Sequence, residues 1–190
     1  YHLIVRMHSL RTTGIVQLYR SDDMGGYKIN NQGGLYFLTV QVIEWVDVFT
    51  RDVYRNIVFD SLDFCQKKKE LEIFAYVLMS NHLHMIARAG NGTLSNVLRD
   101  FKAHTSRCII DRIKEGPESR RDWMLNLFRF EASKRKKNEQ YQLWTHSNHP
   151  EELFSNKFIW QKLDYIHMNP VRNGLVYEPW DYRYSSARNY

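Results

Sequence analysis

Cysteine is nearly absent: Cys65 and Cys108 are the only two in 190 residues. They lie too far apart for a zinc knuckle or a redox CxxC pair, which excludes a disulfide scaffold and leaves reduced thiols as the expectation. Long apolar runs are missing as well. The longest in the body of the chain, Ile73 to Met79, falls far short of a bilayer span. Residues 1–23 lack the apolar stretch of a signal peptide, so a cytoplasmic protein with no membrane partner is expected. No internal repeat is present. Acidic residues are outnumbered, 21 against 27 Lys and Arg, for a net charge of +6. That excess favours a polyanionic partner, since neutralising phosphates supplies most non-specific nucleic-acid affinity.

What remains has the balance of a folded protein, 43% hydrophobic and 25% charged, at a length that suits one domain with a proper core. Aromatics reach 14%, with twelve tyrosines and five tryptophans, enough for base stacking as well as core packing. Residues 1–23 have no sustained period, and Met24 opens a loop-like stretch with Gly25-Gly26 and Gly33-Gly34. The expected organisation is therefore an N-terminal extension over 1–23, either an upstream segment or not native, and a single domain over 24–190.

Periodicity divides that domain. Leu35 to Ile43 reads as a strand rich in β-branched and aromatic residues. Thr50 to Lys69 has apolar positions three and four apart, an amphipathic helix with Thr50 as its N-cap. Leu71 to Met79 and His82 to Ala87 form two further strands across a Ser80-Asn81 turn, an antiparallel hairpin. Thr93 to Lys114 is helical, with Thr105 the one polar gap in its apolar stripe and Arg99, Lys102 and Arg107 opposite it. Glu118 to Phe130 forms another helix, and the Lys134 to Lys137 run after it is a solvated loop.

Two constellations carry chemistry. The first is Tyr76-Val77-Leu78-Met79-Ser80-Asn81-His82-Leu83-His84-Met85-Ile86. On a strand His82 and His84 share one face and Leu83 and Met85 the other. The two Cα atoms then lie roughly 6.5 Å apart, within reach of one metal ion, although an isolated His-x-His is equally the wet face of an ordinary strand. The second is the helical pattern from Phe158 to Val176, closed by Pro170 and Gly174. Ile159, Leu163 and Ile166 form its buried stripe, and Tyr165 points roughly 100–160° away from them with Gln161 and Asn169 within about 40° of it. Pro170 makes Asn169 an end-of-helix residue. If this helix packs beside the histidine strand, a phenol meets a metal site, with Asn169 or Gln161 as third ligand. Such a site suits phosphoryl transfer, the phenolate attacking phosphorus while a metal polarises a phosphate oxygen. His167 lies on another side of the helix and reads as structural in preference to a general base.

These residues, with Leu163-Asp164-Tyr165-Ile166-His167-Met168-Asn169-Pro170-Val171-Arg172-Asn173-Gly174-Leu175-Val176, Trp180 and Tyr184-Ser185-Ser186, resemble the HUH single-tyrosine transposases, especially the REP-associated tyrosine transposases. The resemblance covers roughly Leu35 to Tyr190. It implies an α+β, ferredoxin-like antiparallel sheet with helices packed on it. It also implies a single-stranded DNA endonuclease and strand transferase that cuts beside a hairpin and leaves a 5′-phosphotyrosine and a free 3′-OH. By position Tyr165 is then the nucleophile, His82 and His84 are metal ligands, and Asn169 takes the place of the amide ligand. The family uses Mg2+ or Mn2+, whereas imidazoles by themselves suggest a softer ion. The resemblance allows a homodimer with exchanged helices or a monomer.

The segment from Gly116 to Asn138 does not match the compact family pattern. Two other readings stand beside the transposase. One is a non-catalytic nucleic-acid-binding module, which leaves Tyr165 and the histidine pair unexplained, in a chain without the Arg/Lys-Gly-Phe-Gly/Ala-Phe signature of RNA-binding sheets. The other is a replication initiator or relaxase of the same chemistry, against which the Asn169 to Gly174 context favours the transposase.

Overall fold

The structure, a computed structural model, describes residues 3, 5, 28–134 and 140–190. Most of the stretch 1–23 and its boundary at Met24 lie outside these residues, as does the Lys134 to Lys137 run beyond Lys134. Leu3 is buried in the main core and Val5 bridges in parallel to Ile73.

The chain runs β1 (Tyr36–Gln41), α1 (Asp52–Lys68), β2 (Leu71–Leu78), β3 (His82–Ala89), α2 (Leu94–Glu115), α3 (Arg121–Ser133), β4 (Glu151–Glu152) and α4 (Asn156–Arg172). The strands form one antiparallel sheet in the order β4-β1-β3-β2. A β-α-β-β-α-β chain folded in this order is the ferredoxin-like α+β arrangement. Residues two apart share a face, and both faces of the sheet are covered. Leu38, Val40, Leu83 and Met85 join Val58 and Leu62 of α1 and Phe101 and Ile109 of α2 in the larger core. Phe37, Ala75, Val77 and Ile86 turn the other way and meet Ile159, Leu163 and Ile166 of α4. Each such Leu or Ile contributes about 1.5–3 kcal/mol by leaving water, which pins α4 across the sheet.

A bulge between Ile73 and Ala75 sets which side chains of β2 face α4. Phe74 and Ala75 fall on the same side, and alternation resumes with Tyr76 toward α1 and Val77 toward α4, directly opposite His84. The free edge of β2 is closed by the C-terminal segment. Leu78 N donates to Tyr184 O at 2.8 Å, Ser186 N to Tyr76 O at 3.0 Å and Tyr190 Oη to Phe74 O at 2.6 Å. An edge paired in this way no longer templates another strand.

Three expectations are corrected. Arg51, not Thr50, is the N-cap of α1, and the Thr50 hydroxyl accepts from Arg120 Nη2 at 3.5 Å instead. The two-residue β4 was not anticipated, because so short a segment carries no alternation. Pro170 does not end α4, which continues through Arg172. The closure comes at Gly174, φ +68°, where Gly174 N donates to Val171 O and Leu175 N to Pro170 O, both at 2.9 Å. Thr105, the polar gap in α2, is buried and satisfied: it donates to Phe101 O at 2.8 Å and accepts from Trp144 Nε1 at 3.0 Å.

Candidate active site

Strand alternation puts His82 and His84 on the α4 side of β3, with ring centroids 4.5 Å apart. Antiparallel register sets Gln41 of β1 opposite His82 and Thr39 opposite His84. Each imidazole is held through Nδ1. His84 Nδ1 lies 2.9 Å from Thr39 Oγ1, and His82 Nδ1 lies 2.7 Å from Asn81 Oδ1. An amide oxygen only accepts, so His82 carries its proton on Nδ1 and presents the Nε2 lone pair. Thr39 allows the same tautomer at His84. Among the described residues neither Nε2 has a hydrogen-bond partner.

Both rings are neutral at pH 7. Burial pulls His82 down to about 4 and His84 to about 3, the latter helped by the neighbouring His82 and the Lys162 ammonium. A neutral imidazole anchored at Nδ1 is the form that ligates a cation. Trp45 closes one side, edge-on to His82 at 5.7 Å between centroids. Its backbone and that of Glu44 hold φ of 55° and 51°, a left-handed pair that costs non-glycine residues about 1–2 kcal/mol each.

α4 brings the phenol. Ser155 caps it, accepting from Phe158 N at 3.3 Å. With Ile159, Leu163 and Ile166 pinned to the sheet, Tyr165 emerges toward β3, its ring centroid 5.2 Å from His84 and 5.8 Å from Phe37. It is 38% exposed, and its hydroxyl has no hydrogen bond among the described residues. Two cations flank it. The Arg172 guanidinium stands 5.7 Å from the Tyr165 ring centroid, and Lys162 Nζ lies 4.5 Å from the Phe37 ring and 2.7 Å from Glu151 Oε1.

Tyr165, His82 and His84 thus come together within one chain. Asn169 is buried one helical turn beyond Tyr165, but its Oδ1 accepts from Asn173 Nδ2 at 3.2 Å and it bonds neither imidazole. Gln161 is exposed. Among the described residues no three His, Cys, Asp or Glu side chains gather to hold a metal. The donor set fits a divalent ion as two imidazole nitrogens with further positions open, which Asn169, water or a phosphate oxygen could fill. His167 is no base for Tyr165. Burial lowers it to about 4, its Nε2 lies 2.9 Å from Ser186 Oγ, and its ring packs 5.0 Å from Tyr190. It locks α4 to the C-terminal segment.

Thr39, Trp45, Lys162 and Arg172 did not stand out in the sequence. Lys162 and Arg172 alone left a local signal, three residues before and seven after Tyr165 and so on the same side of the helix.

A ferredoxin-like sheet that presents two imidazoles to a helix-borne tyrosine is the arrangement the sequence resemblance implied. The chain belongs to the IS200-like transposase family, whose model matches residues 36–140. The match includes His82 and His84 and stops before α4. A solved REP-associated tyrosine transposase, bound to a REP hairpin, superposes with a TM-score of 0.59 at 20% identity over 87% of this chain and 84% of that one, and so shares the fold. No curated protein matches the sequence. Among the described residues no helix is long and apolar enough to cross a membrane.

Proposed function

We propose that this transposase cuts and rejoins single-stranded DNA through a covalent 5′-phosphotyrosine on Tyr165. The observation that carries the reading is the 5.2 Å approach of the Tyr165 ring to His84, whose Nε2 is uncommitted. The partner is a hairpin-forming DNA strand, as in the structural relative.

Tyr165 Oη attacks the scissile phosphorus, a Tyr–O–P bond forms and the P–O3′ bond breaks. The phenol proton leaves to solvent and the departing 3′ oxygen takes one up. The Arg172 guanidinium, 5.7 Å from the Tyr165 ring centroid, sets a positive charge beside the attacking group. His82 and His84, with Asn169 as the candidate third ligand, would hold a Mg2+ or Mn2+ ion that polarises a non-bridging phosphate oxygen and offsets charge in the transition state. Thr39 and Asn81 fix both rings by their Nδ1 atoms.

The test is incubation of the chain with end-labelled hairpin DNA carrying unpaired flanks, plus Mg2+ or Mn2+, followed by a denaturing gel. A covalent protein–DNA band is expected for the native chain and none for Tyr165→Phe. DNA binding without a band under either ion would identify a binding module and end the proposal.

A further inference from the structure

One motif of the sequence is untouched by the chemistry at Tyr165: the basic side of α2. It lines a groove of about 580 Å³ whose other wall is the segment 140–148. From α2 come Arg99, Lys102, Arg107 and Lys114, against a single carboxylate, Asp111. At 1.5 Å per residue Arg99 and Arg107 lie about 12 Å apart along the axis and Arg99 and Lys114 about 22 Å, with the small side chains of Ala103 and Ser106 between Lys102 and Arg107 and with Ile110 and Asp111 between Arg107 and Lys114.

The groove is built, and its far wall is bonded to the strand that pairs with the histidine strand. Lys102 Nζ fastens the far wall, donating to Thr145 O at 2.7 Å, His146 O at 3.0 Å and Asn148 Oδ1 at 2.9 Å. That wall is bonded in turn to β1: Thr145 N donates to Gln41 O and Thr39 N to Asn148 O, both at 2.8 Å. Gln41 and Thr39 are the residues opposite His82 and His84. At about 4.8 Å per strand, the far wall stands roughly 10 Å from the histidine strand.

Not all the cations are spent. Arg107 is exposed and makes no hydrogen bond or ion pair among the described residues. Arg99, exposed, pairs with Asp100, a half-buried carboxylate shared with Lys69, and with the exposed Asn96. An unpaired strand would need ring faces on which to stack. Here Trp144 is buried, and the Tyr141 ring is occupied by Lys114 and Arg129 at 4.7 and 5.4 Å. The exposed rings Trp45, Trp123 and Phe130 are not in this groove. Cations without stacking platforms recognise a duplex by its phosphates, which fixes register without reading bases.

We infer that the groove between α2 and residues 140–148 grips the sugar–phosphate backbone of a paired DNA stem and so sets its distance from Tyr165. The assignment rests on the strand-transfer reading of that tyrosine. The experiment compares Arg99→Gln/Arg107→Gln with a charge-matched control on α1, Lys67→Gln/Lys68→Gln, in the full chain. Affinity for a fluorescent, fully paired DNA hairpin is followed against salt, with an oligo-dT of equal length in parallel.

The groove variant should bind the hairpin at least about tenfold more weakly near 0.1 M salt, with a log–log salt slope shallower by about 2, while oligo-dT affinity changes less and the control stays near native. Unchanged melting temperatures are expected, since these side chains are exposed. Native hairpin affinity in the groove variant, or an equal loss in the control, overturns the groove. Adduct formation on a short unpaired strand is scored separately. An adduct with no effect of the groove variant on the hairpin leaves the Tyr165 chemistry standing without the groove. A groove effect with no adduct supports the stem contact and ends the strand-transfer reading.

Discussion

Neutral imidazoles come at a cost in acid, and the sign follows from burial. A histidine whose folded pKa lies below its unfolded value of about 6.5 binds its proton more readily in the unfolded chain, so stability is complete above pH 6.5 and falls as the pH drops toward the folded value. His82, His84 and His167 all behave this way, with folded values of about 4, 3 and 4. Each withdraws up to about 1.4 kcal/mol per pH unit across that window. Urea unfolding of the metal-free protein at pH 7.5 and pH 5 should therefore show a loss that is smaller in His84→Asn. Equal losses in the two proteins would refute the burial account. The shared face of His82 and His84 was legible from spacing, as was the direction of Tyr165 away from the buried stripe, because period 2 and period 3.6 dictate facing, whereas their roles came from the resemblance. Thr39 was not. It becomes a partner of His84 only through the β1–β3 register, and no local pattern in Leu35 to Ile43 sets that register. Trp45 reaches His82 from a left-handed turn that its own residue type disfavours, so propensity argued against finding it.

At the level of elements, helices and strands with a strong apolar period matched expectation, and errors gathered at their ends. α4 is the instructive case. A proline inside a helix usually removes a hydrogen bond and ends the run, which is why Asn169 looked terminal. Here the last turn survives because the Gly174 closure satisfies the carbonyls of Val171 and Pro170. Those three extra residues, nearly a full turn, carry Arg172 to the Tyr165 ring and keep Asn169 inside the helix, so the candidate site depends on the cap. Gly174 has φ +68°, and a Cβ there would meet nothing within 4 Å. Gly174→Ala thus isolates the backbone cost, about 1 kcal/mol in urea unfolding, without a packing clash. Adduct yield should fall with it if the cap positions Arg172. Wild-type stability in that variant would show the closure to be dispensable.

On the scale of the whole molecule, the sheet separates two tasks. One face buries α1 and α2, and α2 turns its cations to the groove beyond the β1 side. The other face seats α4 and the rings of His82, His84 and Tyr165, while the C-terminal segment seals the edge at β2. The rings of His82, His84 and Tyr165 meet within one chain, the geometry of assembly in cis. An exchange of α4 between copies would instead bring one chain's Tyr165 to its partner's histidines. Mixing two inactive variants, His84→Ala and Tyr165→Phe, distinguishes these arrangements. Helix exchange would reunite intact His82, His84 and Tyr165 in half-repaired pairs and restore a covalent adduct on labelled hairpin DNA. Assembly in cis leaves every chain with one defect whatever its neighbour, and the mixture stays as inactive as its components. Adduct formation that rises with the concentration of the mixed variants would refute the cis arrangement.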